Sequence, residues 1–419
     1  AVSGQYSRHL LMRWARFGRR YICGALLLGH VALLVFFLFL YYWDPASYDM
    51  LNGDYDGDDT VAVVGAGASG ISASWVLTHG GRKVHLYEEL HYLGGHSFTY
   101  EETDEDPNEV RYYDLGFIFN NEKYEQYRAF SRRFDNTLIA TQLNTSSAMH
   151  GKYWDNANPL PQETENELGD EINRFMEFVH QPEDGFRYLV PFGIWVWYHG
   201  FSEEFIDRCI KSTLTVLFVT KFGVMKQSTQ AILDYFKFGE GFTHLQDQNA
   251  EAKVWRTENG SQQMWMKSID DSFGTGNLDV FLNSSVDVVE RDGGGWTIKL
   301  GSGVVATYKQ VIIALPANVA QRVVKGGFFR YTLTRQIDYS TAVVSLHHDY
   351  GMTLGQGFTQ ANERVLYYVG ENEDGAFHMT GTIGRIFGRM DSTVLLTVHD
   401  EDLKLDESLV KKRFYWSHH

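Results

Sequence analysis

The sequence predicts an α/β fold: a parallel-sheet domain interleaved with an α+β domain, and one transmembrane helix ahead of both. Three observations carry this. A strand, a glycine turn, a helix and a second strand follow one another between Thr60 and Ser97. A stretch of helical pattern then separates that unit from a further set of strand-like runs, as happens when one domain is threaded through another. Ile22 to Tyr42 is an uncharged apolar run.

Val61 to Val64 suits a strand buried on both faces. Gly65, Gly67 and Gly70 then fit G-x-G-x-x-G, with Ser69 inside the turn. The first glycine permits the tight turn, the second lets a pyrophosphate approach the backbone, and the third lets the next helix pack on the sheet. The free N–H groups and the dipole at the start of that helix, Ala68 to Thr78, favour an anion. Gly80-Gly81 leads to a second apolar strand, Lys83 to Tyr87. It ends on Glu88, about 20 residues past the glycines, where a carboxylate accepts from ribose hydroxyls. Strand, turn, helix, strand and acid agree on a Rossmann-type dinucleotide-binding unit.

Leu93-Gly94-Gly95-His96-Ser97 follows closely and resembles the second glycine pair of the FAD-binding amine oxidase and phytoene desaturase superfamily. Asp114-Leu115-Gly116-Phe117-Ile118-Phe119-Asn120 resembles the segment that passes beside the flavin in its members. The chain most resembles the branch of predicted NAD/FAD-binding amine-oxidase-like proteins of bacteria, fungi and plants. Further matches are Trp255-Arg256, Asn259-Gly260-Ser261, Val311 to Pro316 and Leu346-His347-His348-Asp349. The resemblance spans Thr60 to about His418 and implies FAD as cofactor. Gly65, Gly67, Ser69 and Gly70 would then lie at the pyrophosphate, Glu88 at the adenosine ribose, and a backbone group of Val286 at the adenine. Gly94, Gly95, His96, Gly116 and Phe117 would form the remaining cofactor surface.

The chain departs from the superfamily pattern at three places. Many amine oxidases place a lysine beyond the crossing that resembles Leu315-Pro316, holding a water near flavin N5. Val343 stands at that position, and no lysine occurs between Gly326 and Leu403, so amine oxidation in its usual form is disfavoured. His96 replaces an arginine fork with a ring that offers one donor when neutral. Members also finish with a glycine-containing strand and helix that cover the flavin, after the stretch resembling Arg413 to His419; the sequence stops at His419, as expected either of a truncated sequence or of a protein in which this element is apparently absent. No catalytic acid or base is identified.

With 44% hydrophobic and 15% aromatic residues in 419, the chain has material for a large core. A net charge of −16 argues against nucleic-acid binding. Two cysteines, Cys23 and Cys209, make no disulfide framework. The chain opens AVSGQYSRHL without an initiator Met, and its first 20 residues hold five arginines and no acid, as expected of a processed precursor or a partial sequence. Ile22 to Tyr42 would span about 31 Å as a helix, enough to cross a bilayer, with Tyr41, Tyr42 and Trp43 at the interface. Arginines before it and aspartates after it place the N-terminus in the matrix or cytosol and the main domain in the intermembrane space or lumen. The expected setting is the mitochondrial inner membrane or an endomembrane. Sequons at Asn144, Asn259 and Asn283 are compatible with a lumen.

Residues 1–21 are thus a basic segment, 22–43 the membrane helix, and 44–59 a polar linker. Residues 60–121 and 251–320 form the two parts of the FAD-binding domain. Residues 122–250 form the helical half of a substrate domain, and 321–419 its sheet. Glu101 to Glu109 carries six carboxylates and reads as a solvated loop. Ile172, Phe175, Met176 and Val179 make a helical stripe, and Phe205, Ile206, Cys209 and Ile210 begin another. The aromatics of Tyr188 to Phe201 are read first as core, then as a substrate tunnel or a bilayer contact. His347 and His348 are adjacent in a strand and point to opposite faces, which disfavours a shared metal ion. No nucleophile motif is present.

The expected function is a membrane-anchored FAD-dependent oxidoreductase acting on a hydrophobic, lipid-like substrate. The rival is a flavoprotein fold kept as a non-catalytic subunit among other membrane subunits.

Overall fold

Strand β1 (Val61–Val64) is buried along its whole length, as an unbroken valine and alanine run requires. It turns into α1 (Ala68–His79) and returns as β2 (Val84–Tyr87). The chain continues through the hairpin β3 (Thr99–Glu102) and β4 (Arg111–Asp114), then β5 (Phe119–Asn121), α2 (Glu125–Arg133) and β6 (Leu138–Thr141). A second hairpin, β7 (Thr145–Met149) and β8 (Lys152–Asp155), leads to the helices α3 (Gln162–His180), α4 (Phe192–His199) and α5 (Thr229–Phe238). Next come β9 (Val254–Thr257), α6 (Gln262–Gly274) and β10 (Leu278–Phe281). The meander β11 (Val286–Asp292), β12 (Gly295–Leu300) and β13 (Val305–Tyr308) precedes β14 (Gln310–Ile313) and α7 (Ala317–Val323). The last strands are β15 (Ser340–His347), β16 (Tyr367–Glu371), β17 (Phe377–Gly381), β18 (Leu395–His399) and β19 (Val410–His418).

This computed structural model describes residues 60–103, 109–141, 145–149, 152–155, 162–211, 213–214, 223–238, 254–292, 294–326, 339–351, 367–371, 377–389, 392–399 and 403–418. The chain divides into two units between Asp59 and Thr60. The basic segment, the expected membrane helix and the linker all lie outside the described residues, as do residues 104–108 of the acidic loop. Among the described residues, no helix is long and apolar enough to cross a membrane.

The nucleotide-type sheet is wholly parallel, in the order β10-β2-β1-β14. Its strands come from both ends of the interleaved domain. A seven-stranded sheet, ordered β19-β15-β18-β17-β16-β7-β8, forms the second body. Between them stands the small sheet β5-β9-β6. Residues 122–250 are expected to be mostly helical, but β6 joins the small sheet and the hairpin β7–β8 extends the large one. These runs are four or five residues long, too short for periodicity to separate strand from helix.

The helical stripes behave as their spacing requires. Ile172, Phe175, Met176 and Val179 of α3 pack with Phe205, Ile206, Cys209 and Ile210 in one cluster. Burial pushes the Cys209 thiol up to about 12, so it is no nucleophile at neutral pH. The aromatic run divides by helix face: Phe192, Trp195 and Val196 are core, while Ile194, Trp197 and Tyr198 face solvent.

Candidate active site

Three glycine-containing turns meet at the carboxyl end of β1. Gly65 has φ +98°, and a Cβ there would lie 2.6 Å from the Ala314 carbonyl oxygen. A Cβ on Gly70 would lie 1.8 Å from the Gly65 oxygen, so turn and helix touch backbone to backbone. Gly67 differs: a Cβ there would meet nothing within 4 Å. Its bare face opens onto space at the N-terminus of α1, where Ala68 and Ser69 are also exposed. An anion would be met there by N–H groups and the helix dipole.

The second turn docks on the first. The Gly94 amide donates to the Ala66 oxygen at 2.9 Å, and a Cβ on Gly95 would come within 3.1 Å of the Gly67 Cα. The third turn docks on the second, because the Phe117 amide donates to the His96 oxygen at 2.9 Å and a Cβ on Gly116 would sit 2.3 Å from that same oxygen. His96 and Gly116 are exposed beside this contact. The Phe117 ring turns away to Tyr127, 5.0 Å between centroids, so this residue offers the site backbone rather than ring.

Glu88 directly follows β2, with its carboxylate folded back over the first turn. One oxygen accepts from the Ala66 amide at 2.7 Å and the other from the Leu90 amide at 2.9 Å. Each oxygen keeps a lone pair for a ribose hydroxyl. The Ser284 amide donates to the Glu88 carbonyl at 2.8 Å, which brings the start of β11, and so Val286, near Glu88. Val286 packs with Tyr87 below the sheet.

Two residues, Asp114 and Gln262, hold these turns through contacts that the sequence does not show. The Asp114 carboxylate accepts from the Ser261 amide at 2.8 and 3.0 Å, from the Ser261 hydroxyl at 3.1 Å and from the Thr99 hydroxyl at 2.6 Å. It caps α6 from another strand. Burial pushes this carboxyl up to about 7, against the pull of those hydrogen bonds and of Arg256. Gln262 braces the second turn, donating to the Leu93 oxygen at 2.6 Å and accepting from the Thr99 amide at 3.0 Å. Apart from Thr99 and Asp114, which are 15 residues apart, the partners lie 147 to 169 residues away in sequence, beyond any local motif. Asp114→Ala strands the buried Ser261 amide and is expected to cost roughly 3 kcal/mol. Chemical denaturation reads this, and a loss below about 0.5 kcal/mol would show that the cap is dispensable.

One face of the large sheet carries a buried polar row. Val343, His399 and His378 stand directly across from one another, as do Ser345, Thr397 and Thr380. The Asp349 amide donates to His347 Nδ1 at 3.0 Å, so the opposite nitrogen carries the hydrogen and donates to Thr397 at 2.6 Å. Thr397 and Thr380 share a hydrogen at 2.7 Å, and Ser345 pairs with His399 at 2.9 Å. His347 is buried and His348 faces Thr393 instead, as strand alternation requires. Among the described residues no group is arranged to hold a metal ion.

The glycine turns, the capped helix and the carboxylate after β2 together have the form of a dinucleotide-binding fold. The sequence matches the family of flavin containing amine oxidoreductases over residues 68–350, and the chain belongs to that family. No curated protein matches it. Among solved structures it is similar to the CLA-producing fatty acid isomerase from P. acnes, with a TM-score of 0.60 and 13% identity over 87% of each chain. It is similar to putrescine oxidase bound to putrescine, with a TM-score of 0.55 and 16% identity over 83% of this chain and 78% of that one. It is also similar to reduced UDP-galactopyranose mutase, with a TM-score of 0.57 and 15% identity over 86% of this chain and 81% of that one. At such identities the likeness is one of fold. The protein is an FAD-dependent oxidoreductase of the amine oxidase family, and FAD is its cofactor.

Proposed function

We propose that this chain is a membrane-anchored flavoenzyme that oxidises or desaturates a hydrophobic, lipid-like substrate. The observation that carries the enzyme reading is the contiguous cradle: three touching turns, the open face of Gly67 and the inward carboxylate of Glu88. Gly65, Gly67, Ser69 and Gly70 would hold the pyrophosphate, Glu88 the ribose, Val286 the adenine, and Gly94 to His96 with Gly116 and Phe117 the flavin side. FAD supplies a hydride acceptor at N5, and the protein supplies position and electrostatics. The apolar run Ile22–Tyr42 and the aromatic content support the anchor and the apolar substrate. The fold leaves the reaction open, since its relatives include an isomerase, an oxidase and a mutase.

One observation favours a second reading, a non-catalytic subunit of a membrane complex: Val343 occupies the position where the superfamily resemblance expects a lysine. A visible spectrum of the detergent-purified protein separates the two. Flavin bands near one equivalent are expected. A protein that stays colourless after incubation with FAD would exclude the enzyme.

A further inference from the structure

Arg256 is a buried cation that, among the described residues, makes no salt bridge. It lies in β9, the central strand of the small sheet, directly across from Phe119 on one side and Ile139 on the other. Its guanidinium therefore rises on the face shared with Phe119, two residues after the Gly116–Phe117 turn. It points at the large-sheet body, 5.1 Å from the Phe387 ring centroid and against Gly388. The residue is 7 % exposed, and neither its Nε nor its Nη1 has a hydrogen-bond partner.

Among the described residues, the nearby charges do not satisfy it. The Asp114 carboxylate is committed to Ser261 and Thr99, Glu258 is exposed, and Arg389 is a like charge already paired with Glu109. A buried charge left unpaired is costly, because its lost hydration is not repaid. A guanidinium in that state is a strong receptor for an oxyanion. Its neighbours Phe119 and Phe387 are aromatic, and Phe119 in turn packs on Tyr367, so the oxyanion must arrive on an apolar body.

We propose that Arg256 anchors an acidic head group, a carboxylate or a phosphate, on the hydrophobic substrate of this site. This rests on the apolar-substrate reading above and adds the sign of its charge. A buried cation repels a protonated amine, in line with the absence of lysine between Gly326 and Leu403. Residues 254–257 position the guanidinium at the seam between the two bodies, where substrate sites commonly form.

The test is titration of the FAD-loaded protein with decanoate, decyl phosphate, decanol and decylamine, read as the change in flavin absorption. Decanoate or decyl phosphate should bind at least about 30-fold more tightly than decanol or decylamine, and the better of the two names the head group. Arg256→Gln should abolish that preference while retaining FAD at wild-type stoichiometry, and Arg256→Lys should keep part of it. Equal binding of all four probes overturns the proposal without any variant. So does an Arg256→Gln protein that binds decanoate unchanged, or one that loses FAD, which would make Arg256 a cofactor ligand. If acetate binds as tightly as decanoate, the apolar-substrate reading fails while the oxyanion anchor stands. If no probe perturbs the flavin, both fail.

Discussion

Gly67→Ala and Gly70→Ala are expected to fail in opposite ways, although both glycines belong to one motif. At Gly70 the new methyl would meet the Gly65 backbone at 1.8 Å, and backbone cannot rotate aside. The variant should lose about 3 kcal/mol or more of stability, seen as a lower denaturation midpoint with or without FAD. At Gly67 the methyl meets no protein atom within 4 Å, and the residue has φ −78° and ψ −173°, which any residue adopts. Apoprotein stability should change by less than about 1 kcal/mol. The methyl would instead fill the space where a pyrophosphate approaches, and FAD affinity should fall by about 100-fold or more. Thermal denaturation of apoprotein together with flavin-fluorescence titration checks both. Unchanged FAD affinity in a folded Gly67→Ala protein would place the cofactor elsewhere.

The response to acid should expose two opposed groups of buried residues. Burial lowers His347 and His378 from 6.5 to about 4. His399, His348 and Arg413 also lower His347, and Asp349 opposes them. The unfolded chain then binds protons that the native chain refuses, so stability is lost as pH falls from about 6.5 to 4, on the order of 3 kcal/mol per histidine. Asp114 works the other way. Its native carboxyl sits near 7 against 3.8 unfolded, so the native state takes up the proton first and gains stability over the same fall in pH. One carboxyl thus offsets at least one histidine. Asp114→Asn removes the offset, and its stability should fall between pH 7 and 4 by roughly 3 to 4 kcal/mol more than that of the wild type. Denaturant midpoints across that range decide it, and parallel curves for the two proteins would rule out a titrating Asp114.

The sequence shows the local geometry of this candidate site. Gly65 to Gly70 and Glu88 lie on one unit, where each residue's task follows from the turn it occupies. The β-rich runs Val286 to Glu290 and Thr341 to His347 are readable in the sequence, and the strands formed there extend slightly further, over Val286–Asp292 and Ser340–His347. What sequence could not show were contacts made by distant segments. Asp114 is recognisable as part of a motif, but its task as the cap of α6 needs Ser261 beside it. Arg256 is an ordinary cation until the register with Phe119 buries it. The row of histidines exists only because β15, β18 and β17 pair in one register. The hairpin β7–β8 was hidden by its brevity.

The parallel sheet at the cradle has a consequence for how the chain is made. β1 lies between β2 and β14, so residues near 61 wait for residues near 310 before both edges are paired. Until the ribosome has delivered β14, the valine strand that bears the first glycine turn keeps one bare edge, an invitation to mispairing with other chains. Nascent protein is therefore most exposed to aggregation, and most in need of a chaperone, during synthesis of the whole inserted domain.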